Sequence, residues 1–426
     1  MTTGDAKVGG AELLDQGGVC LKAGDSAQAF ELLQQAASVG VPEDRLHELV
    51  TQFALAGRFT TRQHEVLQWI EKSLTATTDV ASRATLLRAQ VAVCRQLDLK
   101  RVQHLADAAL EAAELAQDEE AYACILSHAA FAGYRRGDLQ TAQQYAELAA
   151  TRPFESLAAR YDAVRAQMFS ASARGDLESA LHLAMRGRAM ARELGRPADT
   201  ANESANLAEA YLELGCPEEG FRCGQAAVEL ASACGHLSVE LMGNVLCAIA
   251  IAESGQIDDA LDRFDKLVVL DQNRILAVDR ATVHAYWLLE RGAAGDAKRA
   301  RVIAQAAVAS ANKAGVGNRL MALHAIIARA WAREGREVEA IAALETGRRN
   351  GGRSESAAQL LLALAVAEVL PVKAPKRTVV LNNARTKILR GATHREDPHA
   401  FCTKVRLHRR LLELTGGVPE DLPRAD

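Results

Sequence analysis

The amino-acid sequence predicts an all-α protein, built as an α-solenoid of antiparallel helix pairs. The chain has 426 residues, more than one compact core usually holds. Only 4% of its residues are aromatic and only 9 are proline, whereas 49% are apolar, a composition that favours helices in a soluble protein. Short breaks that contain glycine recur at intervals of about 40 residues, and such a period is typical of helical repeats.

The breaks divide the chain into repeats. They fall at Gly24-Asp25, Gly57-Arg58, Gly137-Asp138, Gly175-Asp176, Gly215-Cys216, Gly255-Gln256, Gly295-Asp296 and Gly335-Arg336, with a degenerate copy at Leu97-Asp98. Second breaks follow about half a repeat later, at Gly195, Gly235 and Gly315. Glycine supplies the positive φ that ends a helix, and aspartate caps the next helix. Each unit should therefore hold two helices of about four to five turns.

The segments between the breaks carry apolar residues at helical spacing. In residues 200–214 one stripe runs through Ala201, Ala205, Ala208 and Leu212, in steps of four, three and four. No stretch shows the alternation that is typical of strands. We therefore predict a repeat array over residues 10–350 with about nine repeats, a last array helix over 351–370 and a basic helical cap over 371–426.

The repeat resembles the tetratricopeptide repeat (TPR) superfamily. The resemblance lies in the Gly-Asp-Leu turn and in the alanine five positions after its glycine, as in Gly137-Asp138-Leu139-x-x-Ala142. The usual unit has about 34 residues; the longer unit here is similar to the helical arms of bacterial signalling proteins like the maltose-operon activator. The resemblance covers about residues 10–350. It implies a right-handed superhelix that binds a protein or peptide on its concave face.

The phasing of this family places concave residues 13, 10, 6, 3 and 2 positions before each break. It selects Phe131, Tyr134, Arg135, Asp162, Arg165, Phe169, Asn202, Glu209, Glu213, Arg329 and Arg333. Aromatic side chains flanked by arginine are suitable anchors for a peptide or helix. The aromatic members could instead fill gaps between repeats. Because Asn202 and Asn206 lack the lysines that chaperone-binding relatives use, we expect no binding of chaperone tails.

Cysteine spacing and motif searches favour neither a metal site nor catalysis. Cys216, Cys223, Cys234 and Cys247 lie close in sequence, but a separation of seven on one helix is about 10 Å of rise. Thiolates on one zinc ion lie nearer than that, so packed thiols are favoured. The chain lacks phosphate-binding, metalloprotease and nucleophile-elbow motifs. We predict a protein that is not an enzyme and needs no cofactor.

The C-terminal region differs in charge from the repeats. Between residues 371 and 410 there are 11 lysines and arginines but only two acidic residues. Asp397-Pro398 predicts a helix start, and that helix should run to about Leu414 and dock on the last repeat. Its basic residues are Lys404, Arg406, Arg409 and Arg410. They could contact nucleic acid or an acidic partner, match the acidic repeats, or form a solvated face.

These observations predict a protein-binding scaffold or adaptor that recognises a partner protein or peptide on the concave face. The alternative is a regulatory or sensor protein whose basic C-terminal helices contact nucleic acid or an acidic partner. His399 and Cys402, with His394 nearby, could share a metal ion, but the set has too few ligands to favour it. The polar N-terminus and the absence of a long apolar run predict a cytoplasmic protein without a membrane anchor.

Overall fold

A computed structural model describes residues 9–267, 274–350, 356–393, 395–420 and 422. These residues form 22 α-helices and one 3-10 helix, and they include no β-strand. The all-α solenoid predicted from the repeat period is therefore confirmed. Within the part of the chain that is described, no helix combines the length and the apolar character needed to cross a membrane.

The first 18 helices pack in consecutive pairs, with the first helix of each pair on the inside of the superhelix. The inner helices are α1 (Gly10–Lys22), α3 (Leu46–Thr60), α5 (Val80–Leu97), α7 (Glu119–Arg136), α9 (Leu157–Arg174), α11 (Pro197–Glu213), α13 (Leu237–Glu253), α15 (Arg274–Arg291) and α17 (Leu320–Arg333). The outer helices are α2 (Ser26–Val39), α4 (Gln63–Ala76), α6 (Leu99–Leu115), α8 (Leu139–Thr151), α10 (Leu177–Glu193), α12 (Pro217–Ala233), α14 (Ile257–Lys266), α16 (Asp296–Ala314) and α18 (Glu337–Arg349). One large apolar core runs through almost all of these pairs.

Four further helices follow: α19 (Ser356–Val369), α20 (Pro375–Ala392), α21 (Pro398–Thr403) and α22 (Arg406–Glu413). Helices α20 to α22 form the cap, which packs on α19. The prediction of one helix over 398–414 is wrong, because the chain is extended at Val405. There the backbone N–H of Arg406 donates to the Glu253 carboxylate at 2.9 Å, and a new helix begins.

The turns between paired helices follow the predicted chemistry. Gly137 has a φ of 72°, and the carboxylate of Asp138 accepts a hydrogen bond from the backbone N–H of Thr141 at 3.2 Å. The predicted break at Gly57 is wrong. Gly57 is buried inside α3, where a Cβ would lie 2.5 Å from Val66, and Thr61 makes the left-handed turn instead. Glycine at position 57 thus permits close helix packing rather than helix termination.

The superhelix closes on itself. The turn at Gly24 touches the turn at Gly235, where a Cβ would lie 2.6 Å from the Gly24 carbonyl oxygen. The backbone N–H of Asn318 donates to the carbonyl oxygen of Arg135 at 3.2 Å. Helix α3 also contacts α13, and α5 contacts α15. These contacts between successive turns border the concave face, which forms a partly enclosed cavity.

Candidate ligand-binding cavity

A cavity of about 400 Å³ lies inside the superhelix. Inner helices from α3 to α19 supply most of its lining, and the cap adds Val405 and Leu407. Its volume falls in the range of about 300–1,000 Å³ that is typical of ligand pockets. The structure thus places the inner helix of each pair where the resemblance implies, around a space large enough for a ligand.

One side of the cavity is apolar. Helices α9, α13 and α15 supply most of this apolar wall, which consists of Met168, Val239, Met242, Leu246, Ile249 and Leu276. Met242 and Ile249 are half-buried, so part of each side chain faces the open space. A wall of this kind gains free energy by covering the apolar side chains of a ligand.

Most of the residues predicted for the concave face line this cavity. They are Phe131, Tyr134, Arg135, Arg165, Phe169, Asn202, Glu209 and Glu213, whereas Asp162 lies outside the lining. The rings of Phe131 and Phe169 pack edge to face with centroids 5.0 Å apart. The phasing therefore brings together residues from three successive repeats, on α7, α9 and α11.

Arg135 is held by a carboxylate from the far side of the superhelix. Its Nη2 donates to Asp279 Oδ1 at 2.8 Å, across 144 positions of sequence. Arg319 Nε donates to the same Asp279 oxygen at 2.9 Å, and Arg319 Nη2 lies 3.6 Å from Glu209. Burial alone would raise the pKa of Asp279, but the two guanidinium groups outweigh it and lower that pKa. This bridge joins α7, α11 and α15 and fixes the shape of the cavity.

Another part of the lining is rich in positive charge. We call this region the cationic pole, and it consists of Arg58, Arg95, Arg165 and His236. Arg165 lies 3.0 Å from the buried carboxylate of Glu203. Burial lowers the pKa of the Arg95 guanidinium well below its usual value, and the charges of Arg165 and Arg58 lower it further. The groups of the pole therefore repel one another in a partly dehydrated space.

His236 and Arg58 make few polar contacts at the pole. His236 is fully buried, its ring packs 4.5 Å from that of Phe59, and neither ring nitrogen has a hydrogen-bond partner. Burial, and then the charges of Arg58 and Arg95, hold its pKa well below the usual histidine range, so the ring is neutral. Burial also lowers the pKa of Arg58.

Arg329 and Arg333 do not line the cavity. Arg329 is fully buried, and its Nη2 donates to Glu290 and to Glu368, each at 2.8 Å. Arg333 Nη2 donates to Glu368 at 3.1 Å. With Arg406, whose Nε donates to Glu290 at 2.7 Å, these residues form the ion-pair cluster. In this structure Arg329 serves to join α15, α17 and α19.

The basic residues of the cap divide into two kinds. Arg406 and Arg410 pair with carboxylates of the repeats, the latter at 4.0 Å from Glu368. Arg409 donates to the Thr403 carbonyl at 3.4 Å, and Lys404 is exposed. The match to the acidic repeats, one of the alternatives left open by the sequence, is thus realised for two of the four residues.

The structure offers no cluster for a metal within its described residues. All eight cysteines are free thiols, and burial raises the pKa of Cys223, Cys234 and Cys247. No group of three His, Cys, Asp or Glu side chains comes together in the described ranges. His394, named above with His399 and Cys402, lies outside the described residues, as do 351–355 of the last array segment.

Several cavity residues escaped the sequence phasing. Arg95 stands two positions before the degenerate break at Leu97, and Arg58 three positions before the true turn at Thr61. Both residues stand at positions that the phasing assigns to the concave face. Counting back from Leu97 and from the true turn at Thr61 would therefore have found them. His236 follows a second break and Asp279 lies far from one, and the sequence holds no signal for either.

Comparisons with known proteins define the fold. No protein-family model matches the chain, and a search of curated proteins finds no match. Among solved structures, the Cut9–Hcn1 hetero-tetramer of the APC/C matches with a TM-score of 0.51 at 13% identity, over 96% of this chain and 78% of that one. NprR in complex with its cognate peptide NprX matches with a TM-score of 0.50 at 14% identity, over 74% and 95%. The chain thus has the fold of TPR-type helical repeats, as the turn motifs predicted.

Proposed function

We propose that this protein is a binding protein that takes a short peptide, or a short segment of a partner protein, into the cavity of its superhelix. The cavity of about 400 Å³, lined by both apolar and charged or polar side chains, carries the proposal. Such a site holds a few residues of extended or helical chain and excludes a folded domain. The similar NprR fold holds its cognate peptide NprX, which supports the same use here.

The lining offers groups that can contact the side chains of a peptide and groups that can contact its backbone. The apolar wall covers side chains, while Asn202 and Asn206 present amide groups to the backbone. Their Nδ2 atoms already donate, to the Ala198 carbonyl at 3.1 Å and to Glu203 at 2.9 Å. The Oδ1 acceptors of both side chains are left for peptide N–H groups.

Capture of peptides by the purified protein tests this proposal. The protein is exposed to a peptide extract of its native lysate, separated from free peptides by size exclusion, and its bound peptides are identified by mass spectrometry. V283W and M242W add bulk inside the cavity, because both side chains line it and are only half-buried. V338W changes an outer position on α18 that is 78% exposed and serves as the control.

We expect the wild type and V338W to retain the same discrete set of peptides, and the two cavity variants to lose it. Retention of that set by both cavity variants, or no retained peptide with wild type, would contradict the proposal. Circular dichroism establishes that each variant is folded before the comparison is made.

Two of the four basic residues of the cap speak against the regulatory alternative, in which these helices contact nucleic acid or an acidic partner. Arg406 and Arg410 are engaged by glutamates of the repeats, so they are less able to bind phosphates. The absence of enzymatic activity, the lack of a cofactor and the cytoplasmic location stay predictions from the sequence.

A further inference from the structure

The cationic pole holds more guanidinium groups than carboxylates that neutralise them. Arg165 forms ion pairs with Glu203 at 3.0 Å and with Asp162 at 3.3 Å. Asp199, the remaining carboxylate that acts on the pole, pairs with Arg196 at 4.0 Å. No ion pair joins Arg58 or Arg95 to an acidic side chain of the described residues. Two cations that line a cavity are thus left without a counter-ion.

Arg95 contacts uncharged side chains, which orient its guanidinium group but do not neutralise its charge. Arg95 Nη1 lies 3.1 Å from His128 Nδ1, and the guanidinium stacks over the Phe131 ring at 4.0 Å. Burial, and then the charge of Arg95, holds the pKa of His128 well below its usual range, so this ring is neutral. Stacking uses the face of the guanidinium and leaves N–H donors along its edge.

His236 supplies an independent sign of a missing partner. It is fully buried, it lines the cavity beside these arginines, and both of its ring nitrogens lack a hydrogen bond. Buried polar groups in native proteins almost always have a partner. One neutral imidazole N–H and two guanidinium edges together form a donor set suited to an oxyanion, since arginine binds carboxylates in a bidentate manner.

We propose that Arg58, Arg95 and His236 bind a carboxylate of an acidic, otherwise apolar peptide, whose remaining side chains lie on the apolar wall. This inference rests on the proposed function and names the chemistry of its ligand. The carboxylate has two possible sources in a peptide, an Asp or Glu side chain and the C-terminus. The site differs from the lysine and asparagine clamp ruled out from the sequence, because its donors are arginine and histidine on α3, α5 and the start of α13.

Four synthetic hexapeptide pools separate these sources. All contain random apolar residues and one variable position. That position is Glu or Gln, and the C-terminus is a free acid or an amide. Each pool is incubated with the full-length protein, and the bound fraction is measured by size exclusion and mass spectrometry. Because a hydrogen-bonded charge pair contributes about 1.5–3 kcal/mol, we expect one acidic source to raise retention about 10-fold to 100-fold over the neutral Gln amide pool.

Substitutions at the pole locate the effect. R58Q and R95Q should each abolish most of this preference for the acidic pools over the neutral Gln amide pool. R336Q removes an exposed arginine outside the cavity and should preserve the preference. The comparison of Glu with Gln pools on wild-type protein does not depend on whether any variant folds.

The outcomes distinguish the two proposals. Equal retention of all four pools by wild type would overturn the carboxylate site and leave peptide binding intact. Retention of none would overturn peptide binding and this inference with it. An acidic preference that survives in both R58Q and R95Q would show that the carboxylate binds elsewhere. A preference lost in both variants but kept in R336Q supports the site.

Discussion

Two arginine-rich regions of this superhelix use the same side chain in opposite ways. In the ion-pair cluster, Arg329, Arg333 and Arg406 each contact Glu290 or Glu368. At the cationic pole, Arg165 has such partners, but Arg58 and Arg95 have none among the described carboxylates. In the first region every arginine contacts a carboxylate of the chain, and in the second two arginines contact none among the described residues.

This difference separates structural arginines from candidate ligand-binding ones. A buried ion pair offsets the loss of hydration only if its partners are well placed, and removing one partner leaves a buried charge alone. In the ion-pair cluster that partner is part of the chain. At the pole no described residue supplies such a partner for Arg58 or Arg95, and both line the cavity. The comparison therefore predicts opposite responses to the removal of arginine in the two regions.

The largest effect is expected from R329M. This change removes the guanidinium from between Glu290, which is itself fully buried as a side chain, and Glu368. Breaking a buried pair typically lowers the free energy of unfolding by about 3–5 kcal/mol. Because Arg406 still contacts Glu290 and Arg333 still contacts Glu368, we expect the lower end of that range. Urea unfolding followed by far-UV circular dichroism measures it.

R336M is the matched control for R329M. Arg336 contacts Glu339 on the same helix surface, and its side chain is 56% exposed. An exposed pair contributes about 0–1 kcal/mol, so the loss should be small. If R329M and R336M lowered the free energy of unfolding by similar amounts, the buried ion pairs of the cluster would contribute no more than an exposed surface pair.

R406Q should have a smaller effect than R329M. Arg406 is 20% exposed, and after its removal Glu290 still has Arg329. Loss of a hydrogen bond to a charged group lowers the free energy of unfolding by about 1.5–3 kcal/mol. The nearby R409Q, which loses only a weak hydrogen bond to the Thr403 carbonyl, is the control. Calorimetry measures the loss of stability in both variants. Equal losses in R409Q and R406Q would contradict the role of Arg406 in holding the cap.

The next effect concerns pH at the junction of α13 and the cap. Burial raises the pKa of the Glu253 carboxyl to about 7, although the Arg406 backbone N–H opposes this shift. The folded protein therefore binds this proton more tightly than the unfolded chain. Stability from this group is fully present below its unfolded pKa of 4.5 and is lost as the pH rises through about 7.

E253Q removes the titrating group, so the fall in stability between pH 4.5 and about 7 should shrink by about 1–2 kcal/mol. E240Q, a substitution on the same helix outside the cavity, should keep the wild-type profile. Unfolding free energies across this pH range provide the measurement. A profile of E253Q that follows the wild type would show that Glu253 is not a buried, protonated group.

The repeat fold could be predicted because its signals are local. Each glycine break with an aspartate cap acts within a few residues, as at Gly137 and Asp138. Gly57 misled the phasing because glycine also serves close packing, and here Thr61 supplied the turn instead. Val405 ended a helix because of a hydrogen bond to Glu253, which lies far away in the sequence.

The candidate site could be predicted only in part, because some of its contacts join residues that are distant in the sequence. Phase along an inner helix correctly pointed Phe131 and Phe169 toward the cavity. It could not show that Arg329, in an equivalent phase, would meet Glu290 and Glu368 and be buried. Nor could it show that the superhelix closes, since that depends on the summed rotation of many repeats. Which arginines are paired is a property of the closed superhelix.

The smallest change in stability is expected from R58Q, and it bears most directly on the comparison. Arg58 has no hydrogen-bonded carboxylate to leave behind, and its charge adds to the repulsion within the pole. We expect the free energy of unfolding to change by less than about 0.5 kcal/mol, since no buried partner is exposed or orphaned. Urea unfolding of R58Q and of R165Q, two substitutions within the cationic pole, tests this expectation.

R165Q should behave like R329M, because it leaves the buried Glu203 carboxylate, whose side chain is 1% exposed, without its cation. A loss of about 3 kcal/mol or more would follow from an orphaned buried charge. If R58Q were as destabilising as R165Q, Arg58 would have a structural partner and the pole would be another ion-pair cluster. If R58Q is neutral, the stability of the fold gives no reason for an unpaired, half-buried guanidinium at that position, which favours a ligand that enters the cavity as its partner.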